Sequence, residues 1–92
     1  MAYRIVFASQ VVIQDMPKLD EAILLRIQED ITSKLVARPE LFGKPLGHSL
    51  RGHRSLRVGD FRVVYRIDST IVRIVAIVHR RDVYRITEKR VS

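Results

Sequence analysis

The stretch "SLRVGDFRVVYRI", residues 55–67, predicts a β-hairpin and with it the centre of the fold. Gly59-Asp60 is a typical two-residue hairpin loop, and apolar residues alternate with polar or charged ones on both sides of it. With this loop, Arg57 lies directly opposite Arg62, and two opposed guanidinium groups repel each other. The hairpin therefore requires a negative partner, either within the chain or outside it.

The same register assigns the hairpin side chains to two faces, because successive strand residues point to opposite sides of a sheet. An apolar set should face a helical layer, namely Leu56, Val58, Phe61, Val63, Tyr65 and Ile67. A polar set should occupy the other face, namely His53, Ser55, Arg57, Arg62 and Arg66. A carboxylate from Asp60 or Asp82 could neutralise these arginines. The alternative partner is phosphate, which guanidinium groups bind in bidentate geometry.

The net charge of +7 belongs entirely to the second half of the chain. Residues 1–50 hold six Lys and Arg against six Asp and Glu, whereas residues 51–92 hold eleven against four. Ten of those eleven cations are Arg. This asymmetry indicates a surface that binds a polyanion such as nucleic acid, with a basic face kept for solubility as the alternative.

Length and composition limit the class of protein. With 92 residues, 47% hydrophobic and 29% charged, the chain is expected to form one globular domain over residues 1–92. It has no cysteine, and its three histidines lack the spacing of metal ligands, so we expect no disulfide, metal or cofactor. Without an apolar run long enough to span a membrane, a soluble cytoplasmic protein with no membrane partner is expected.

The rest of the chain predicts an α+β fold. In order, the expected elements are a strand at 3–7, a short helix from Ser9 to Pro17, a helix capped by Asp20 and ending before Pro39, a loop at 39–48, strands at 50–58, 61–67 and 71–78, and a short helix or extension at 82–89. Short turns join the last three strands and make them antiparallel. The paired helices should cover one face of this sheet and leave the other face free.

The segment "VHRRDVY", residues 78–84, ends the last predicted strand. Taken alone, His79 is more often a structural hydrogen-bonding residue, and Tyr84 is as often a packed aromatic. Beside an arginine face, however, an aromatic ring can stack on a nucleobase and a phenol can take part in proton transfer. These residues are therefore candidates for a nucleic-acid site.

Four quoted segments together resemble one family. The runs "GKPLGHSLRGHRSLRVGDFRVVYRI" and "IVAIVHRRDVY", with "YRIVF" and "PKLDEAI" upstream, closely resemble the RelE/ParE superfamily of type II toxins over nearly the whole chain. The resemblance implies a RelE-like endoribonuclease that cuts mRNA in the ribosomal A site. In that family the ribose 2′-OH attacks the adjacent phosphate without a metal and leaves a cyclic phosphate.

The resemblance also implies partners. A RelB-like antitoxin should hold the toxin inactive by covering its site or displacing the C-terminal region, and the small ribosomal subunit and mRNA should be its targets. Operator DNA should be reached only through the antitoxin.

The family's site residues map onto this chain as follows. Arg62 and Arg80 should stabilise charge on the scissile phosphate. Tyr84 should stack on the nucleotide and assist proton transfer. The chain departs from the best-known RelE enzymes at His53 and Ser55, where those enzymes carry two lysines. His53 is thus a candidate general base, with a pKa that basic surroundings should lower, and His79 is another.

The further predicted RNA-binding residues are Arg51, Arg54, Arg57, Arg66, Arg81 and His79.

Two other functions remain open at this point. A ParE-like toxin would inhibit DNA gyrase by binding it, without nuclease activity, and a plain RNA-binding module would bind duplex RNA through a basic sheet face. Joint retention of Arg62, Arg80 and Tyr84 favours the nuclease, since ParE-type chains generally lack this set. The leading strand and the paired helices before the sheet argue against the plain RNA-binding module.

Overall fold

A mixed five-stranded sheet forms the centre of the molecule. The computed structural model describes residues 2–91. Its strands are β1 (Arg4–Phe7), β2 (Lys44–Pro45), β3 (Arg54–Val58), β4 (Phe61–Asp68) and β5 (Ile71–His79). Their order across the sheet is β1-β5-β4-β3-β2, with β1 parallel to β5 and every other neighbouring pair antiparallel. The predicted α+β class is confirmed, with β1 on the edge beside the last strand.

The helical parts lie before and after the antiparallel strands. They are an N-terminal helical segment made of a π turn (Val11–Asp15) and a 3₁₀ turn (Met16–Lys18), helix α1 (Glu21–Asp30) with a π turn after it (Ile31–Leu35), helix α2 (Pro39–Phe42) and helix α3 (Val83–Val91). Asp20 caps α1 as predicted, because its carboxylate accepts a hydrogen bond from the Ile23 N–H at 2.9 Å. Within residues 2–91, the helices are too short or too polar to cross a membrane.

The hairpin has the register that the sequence predicts. Val58 pairs with Phe61 and Arg57 pairs with Arg62 across the two-residue loop. Gly59 adopts a φ of +62°, which glycine reaches without the steric cost that other residues incur. The loop chemistry therefore places the two arginines opposite each other.

The helical layer covers one face of the sheet, which we call the front face. Its core joins Val11, Ile27, Ile31 and Leu35 from the helices with Leu56, Val58, Val63, Tyr65, Val72, Ile74 and Ile77 from the strands. Phe61 and Ile67 pack against the same core. The predicted apolar face of the hairpin is thus confirmed.

The expectation that the back face of the sheet would be free is wrong over its middle. There, a second buried cluster joins Leu50, Val64, Val75, Ala76, Val78 and Val83, with Leu46 and Ile86 packed against it. Helix α3 and the loop before β3 bring in the residues that cover these strand positions. A register shift at Val64/Tyr65 lets Val75 and Ala76 both join this cluster. The covered middle separates the basic side chains at the two ends of the back face.

The loop predicted at residues 39–48 is more ordered than its Pro and Gly content suggested. Pro39 begins α2, since the first helical position needs no N–H, and β2 pairs with β3. A Cβ at Gly43 would overlap the hydroxyl of Tyr65, which donates to the Pro39 carbonyl at 2.6 Å. This close approach explains the glycine. The next predicted strand is shortened, because residues 48–50 form a 3₁₀ turn.

Candidate functional site

The opposed arginines of the hairpin are held by neutral oxygens. The Arg57 Nε donates to the Gly59 carbonyl at 2.9 Å. The Arg62 guanidinium donates to the Ser55 hydroxyl at 3.0 Å and to the Ser55 carbonyl at 3.4 Å. Among residues 2–91, no carboxylate forms an ion pair with either arginine. These hydrogen bonds orient both guanidinium groups but leave their positive charges uncompensated. The structure therefore does not support the alternative that a carboxylate of the described chain neutralises them.

The end of β5 brings further cations to the same place. A 3₁₀ turn, Arg80–Asp82, follows the strand, and the Arg80 N–H donates to the Asp60 carbonyl at 2.8 Å. This backbone bond ties the turn to the hairpin loop. Asp82 does not neutralise the hairpin arginines, because its carboxylate pairs with Arg85 at 3.0 Å.

Together these groups form an open pocket of about 500 Å³. The residues that line it are Arg57, Arg62, His79, Arg80 and Arg81. We call it the arginine pocket. In the described part of the chain, its lining contains four guanidinium groups and one imidazole but no carboxylate. Such a lining suits an anion with several oxygens, above all a phosphate group.

The imidazole of His79 has a defined orientation in this pocket. Its ring meets Phe61 edge to face, with the ring centroids 5.8 Å apart. Its Nδ1 accepts a weak hydrogen bond from the Arg81 N–H at 3.3 Å. Because the Arg81 N–H occupies Nδ1, Nε2 is the ring nitrogen that remains for a bound group.

Tyr84 lies on α3 and does not line the arginine pocket. Its hydroxyl accepts a hydrogen bond from the Gly47 N–H at 3.1 Å, and 38% of the residue is exposed. A hydrogen bond from the Ser49 hydroxyl to Glu88 joins the same loop to α3. The sequence grouped Tyr84 with the arginines, whereas the structure holds its hydroxyl on the loop at residues 46–50.

His53 is buried, with 7% of its surface exposed, and it does not line the arginine pocket. Burial lowers the pKa of His53, and the positive charge of Arg66 lowers it further. The predicted direction of this shift is confirmed. His53 lies directly before β3, where its N–H donates to the Leu50 carbonyl and its carbonyl accepts the Leu46 N–H. The effect of Arg66 on its pKa agrees with the predicted position opposite Arg66.

The other predicted RNA-binding residues lie outside the arginine pocket. Arg51 is exposed in the turn before β3. Arg54 is on the front side, in register with Tyr65, and donates to the Gly43 carbonyl at 2.5 Å. Arg66 lies opposite Arg73 at the far end of the back face. Arg57 and Arg81 are therefore the members of this group, with His79, that the fold brings together.

One buried ion pair was not predicted from the sequence. The Asp15 carboxylate accepts two hydrogen bonds of 2.7 Å from Arg90, and it also accepts the Ile77 N–H at 2.8 Å. Arg90 also donates to the Val75 carbonyl at 3.1 Å. The hydrogen bond to Asp15 raises the pKa of Arg90. An acid among apolar helical residues signals a buried partner, but nothing in the sequence identifies Arg90 as that partner.

Comparison with known protein families gives one match over most of the chain. Residues 3–84 match the sequence model of the ParE toxin of type II toxin–antitoxin systems, parDE.

Two curated proteins of Mycobacterium tuberculosis are similar in sequence. Toxin RelG is 40% identical over 74 residues, which cover 78% of this chain and 85% of RelG. Toxin RelE is 38% identical over 79 residues, which cover 84% of this chain and 81% of that protein.

Solved structures agree with these matches. The crystal structure of the toxin–antitoxin complex RelBE2 from Mycobacterium tuberculosis contains a chain that matches with a TM-score of 0.79 and 35% identity, over 87% of this chain and all (100%) of that one. A mutant of the E. coli toxin RelE in complex with an antitoxin RelBc peptide matches with a TM-score of 0.71 and 18% identity, over 92% and 93% of the two chains. The latter likeness concerns the fold alone.

Proposed function

Because the chain belongs to the RelE/ParE superfamily and is a type II toxin related to the RelE toxins, we propose that it is a ribosome-dependent endoribonuclease that cleaves mRNA in the A site. The arginine pocket is the observation that carries this proposal. Four arginines meet there without a compensating carboxylate in the described chain, and two of them are already oriented by the hairpin backbone. A pocket of this kind suits a phosphodiester whose charge increases during the reaction.

In the proposed reaction, the ribose 2′-oxygen of the substrate attacks the adjacent phosphorus. A new bond from that oxygen to phosphorus forms as the bond to the 5′-oxygen of the next nucleotide breaks, which leaves a 2′,3′-cyclic phosphate. The 2′-OH proton passes to solvent water, and the departing 5′-oxygen takes up a proton from the Tyr84 hydroxyl, which water then reprotonates. No metal takes part in this scheme. Arg62 and Arg80 stabilise the charge on the equatorial oxygens, while Arg57 and Arg81 hold the neighbouring phosphates.

Two side chains are suited to act near the reacting phosphate. His79 lines the pocket, and in the proposed complex its Nε2 donates to a phosphate oxygen. Tyr84 stacks on the nucleotide beside the pocket, and it joins proton transfer once its hydroxyl leaves the Gly47 N–H. Burial favours the neutral form of His53 by lowering its pKa, and the residue does not line the arginine pocket. We therefore assign it no catalytic role in the proposed reaction.

We further propose a RelB-like antitoxin as the cognate partner. The related chains from Mycobacterium tuberculosis and E. coli were solved as toxin–antitoxin complexes. An acidic or amphipathic antitoxin segment would cover the arginine pocket or displace α3, and operator DNA would be contacted through the antitoxin. Charge complementarity with the arginine pocket would favour such a segment.

A second candidate function follows from the family model that matches, because its description is that of ParE toxins. In this alternative the chain would bind DNA gyrase and inhibit supercoiling without cutting RNA. A supercoiling assay with purified gyrase tests it directly. Inhibition of gyrase together with intact mRNA would replace the nuclease proposal.

The nuclease proposal is tested by primer extension on a reporter mRNA in a reconstituted translation reaction, with and without ribosomes. We expect ribosome-dependent cuts in frame with the A-site codon. Tyr84→Phe keeps the ring but removes the hydroxyl. It should retain binding and lower the cleavage rate by about 10² fold if the phenol moves a proton. Intact mRNA at saturating concentrations of folded wild-type toxin would contradict the proposal.

A further inference from the structure

A second cavity, of about 610 Å³, lies beside the arginine pocket. Its lining comes from the N-terminal helical segment, the end of β5 and α3, and it includes Gln10, Gln14, Leu19, Phe61, Asp82 and Ile86. We call it the glutamine groove. His79 lines both cavities, so the two adjoin at its imidazole ring.

The chemistry of the two cavities matches the two parts of a nucleotide, with a cationic cavity for the phosphate and a more apolar one for the base. The arginine pocket presents cations and an imidazole, which suit a phosphate. The glutamine groove presents the apolar surfaces of Leu19, Phe61 and Ile86 beside side-chain amides. Its charged lining residues are the ion pairs Asp15–Arg90 and Asp82–Arg85 together with Lys18 and Lys89. Apolar and aromatic side chains pack against the face of a base, whereas amide groups both donate and accept hydrogen bonds at its edge.

The amides of the groove are available for such contacts. Gln10 and Gln14 are exposed, and within residues 2–91 neither side chain takes part in a hydrogen bond. They lie four residues apart, Gln10 directly before the N-terminal helical segment and Gln14 within it, and they line the groove together. Asp82 is less available, because it pairs with Arg85 at 3.0 Å. Base-edge contacts would therefore fall to the two glutamines, with the exposed Lys18 beside them in the groove.

We propose that the glutamine groove binds the base of a nucleotide whose phosphate occupies the arginine pocket. Gln10 and Gln14 contact the base edge, and Phe61 and His79 form the junction between base and phosphate. This inference rests on the proposed function, for which it supplies a specificity-determining subsite. The arginines bind every phosphate alike, so discrimination between bases arises in the groove.

The test uses NMR spectra of the ¹⁵N-labelled full chain, titrated with inorganic phosphate and with each of the four ribonucleoside monophosphates. Phosphate should shift only the signals of the arginine pocket. Nucleotides should also shift the side-chain amides of Gln10 and Gln14. Gln14→Ala should weaken the best-bound nucleotide by about 2- to 10-fold and leave phosphate affinity unchanged, as expected for one lost hydrogen bond. Gln28→Ala, on the exposed side of α1, is the matched control.

The inference is overturned if nucleotides shift only the signals that phosphate shifts, if no nucleotide binds, or if Gln14→Ala leaves the ranking of the four nucleotides unchanged. The outcome is separable from that of the proposed function, because the titration requires neither ribosomes nor cleavage. Groove binding without mRNA cleavage would refute the nuclease alone. Cleavage without shifts at the two glutamines would refute the groove alone. Shifts produced only by an antitoxin peptide would assign the groove to that partner instead.

Discussion

At the scale of single residues, the decisive feature is a set of arginines whose neighbours are neutral. Arg62 donates to Ser55 and Arg57 to Gly59, so both side chains are positioned without losing charge. A carboxylate in the same place would orient them equally well but would compete with a phosphate. Ser55 thus acts as a support for Arg62.

The double substitution Arg62→Ala, Arg80→Ala should abolish growth arrest without unfolding the domain. In the proposed reaction these two groups stabilise the developing charge, so their removal should slow cleavage by at least about 10² fold. Growth after induced expression gives the first readout, and circular dichroism with urea denaturation checks the fold. Arg38→Ala, which removes an exposed arginine at the start of α2, should keep full toxicity. A folded double variant that still arrests growth would remove both arginines from the mechanism.

The buried imidazole of His53 predicts a pH dependence of stability. Burial and Arg66 lower its pKa below the ordinary 6.5, so the unfolded chain binds a proton there more readily than the folded chain. The contribution of His53 is therefore complete above the unfolded pKa and is lost progressively as the pH falls below it. Urea denaturation at about pH 7.5 and about pH 5.5 should record this loss. His53→Gln should reduce the loss and His48→Gln should not, whereas equal pH dependence in all three proteins would contradict the prediction.

At the scale of secondary-structure elements, the sequence predicts the structure best where contacts between residues close in the chain determine it. Gly59-Asp60 and the alternation around it predict the hairpin register, and Asp20 predicts the start of α1. Both follow from contacts within a few residues. The path of α3 across the back face depends instead on long-range packing of Val83 and Ile86, which no local pattern specifies. For the same reason, the sequence could not locate Tyr84 against the loop at residues 46–50.

One buried ion pair ties α3 to the N-terminal half of the chain. The Asp15–Arg90 contact joins the N-terminal helical segment to α3 and satisfies the Ile77 N–H at the edge of β5. Asp15→Asn or Arg90→Met should each lower the free energy of unfolding by about 3–5 kcal/mol, because each leaves a buried group unpaired. The double variant should lose less than the sum of the two single losses. Urea denaturation measures all three.

The more exposed pair Asp30–Lys34, at 3.5 Å, provides the control for this experiment. Asp30→Asn should cost less than about 1 kcal/mol, as other solvent-screened ion pairs do. If the variants at Asp15 and Arg90 cost no more than Asp30→Asn, the buried pair does not hold α3 in place.

At the scale of the whole molecule, the positive charge of the second half is divided rather than continuous. The sequence predicted one basic face, but α3 and the loop before β3 cover its middle. The arginine pocket lies at one end, and a distal pair, Arg66 and Arg73, lies at the other. Arg66 has Asp68 at 3.7 Å, an exposed contact that leaves most of its charge available. If the chain acts on the ribosome as proposed, the distal pair should therefore contribute to binding through long-range electrostatic attraction and take no part in the cleavage reaction.

The separation of the distal pair from the arginine pocket can be tested by measuring how ribosome affinity depends on salt concentration. Replacing the distal pair by Arg66→Ala, Arg73→Ala should weaken ribosome binding at low salt. It should also reduce the slope of log affinity against log salt by about 1 to 2, because up to two phosphate contacts are lost. Cleavage at saturating ribosome concentration should be unchanged, since the arginine pocket is intact. Arg26→Ala, Arg38→Ala removes the same charge from the helical side and should leave the slope nearly unaltered. Equal slopes for the two double variants would mean that the distal pair is only solvated, and the arginine pocket would then account for the attraction to RNA.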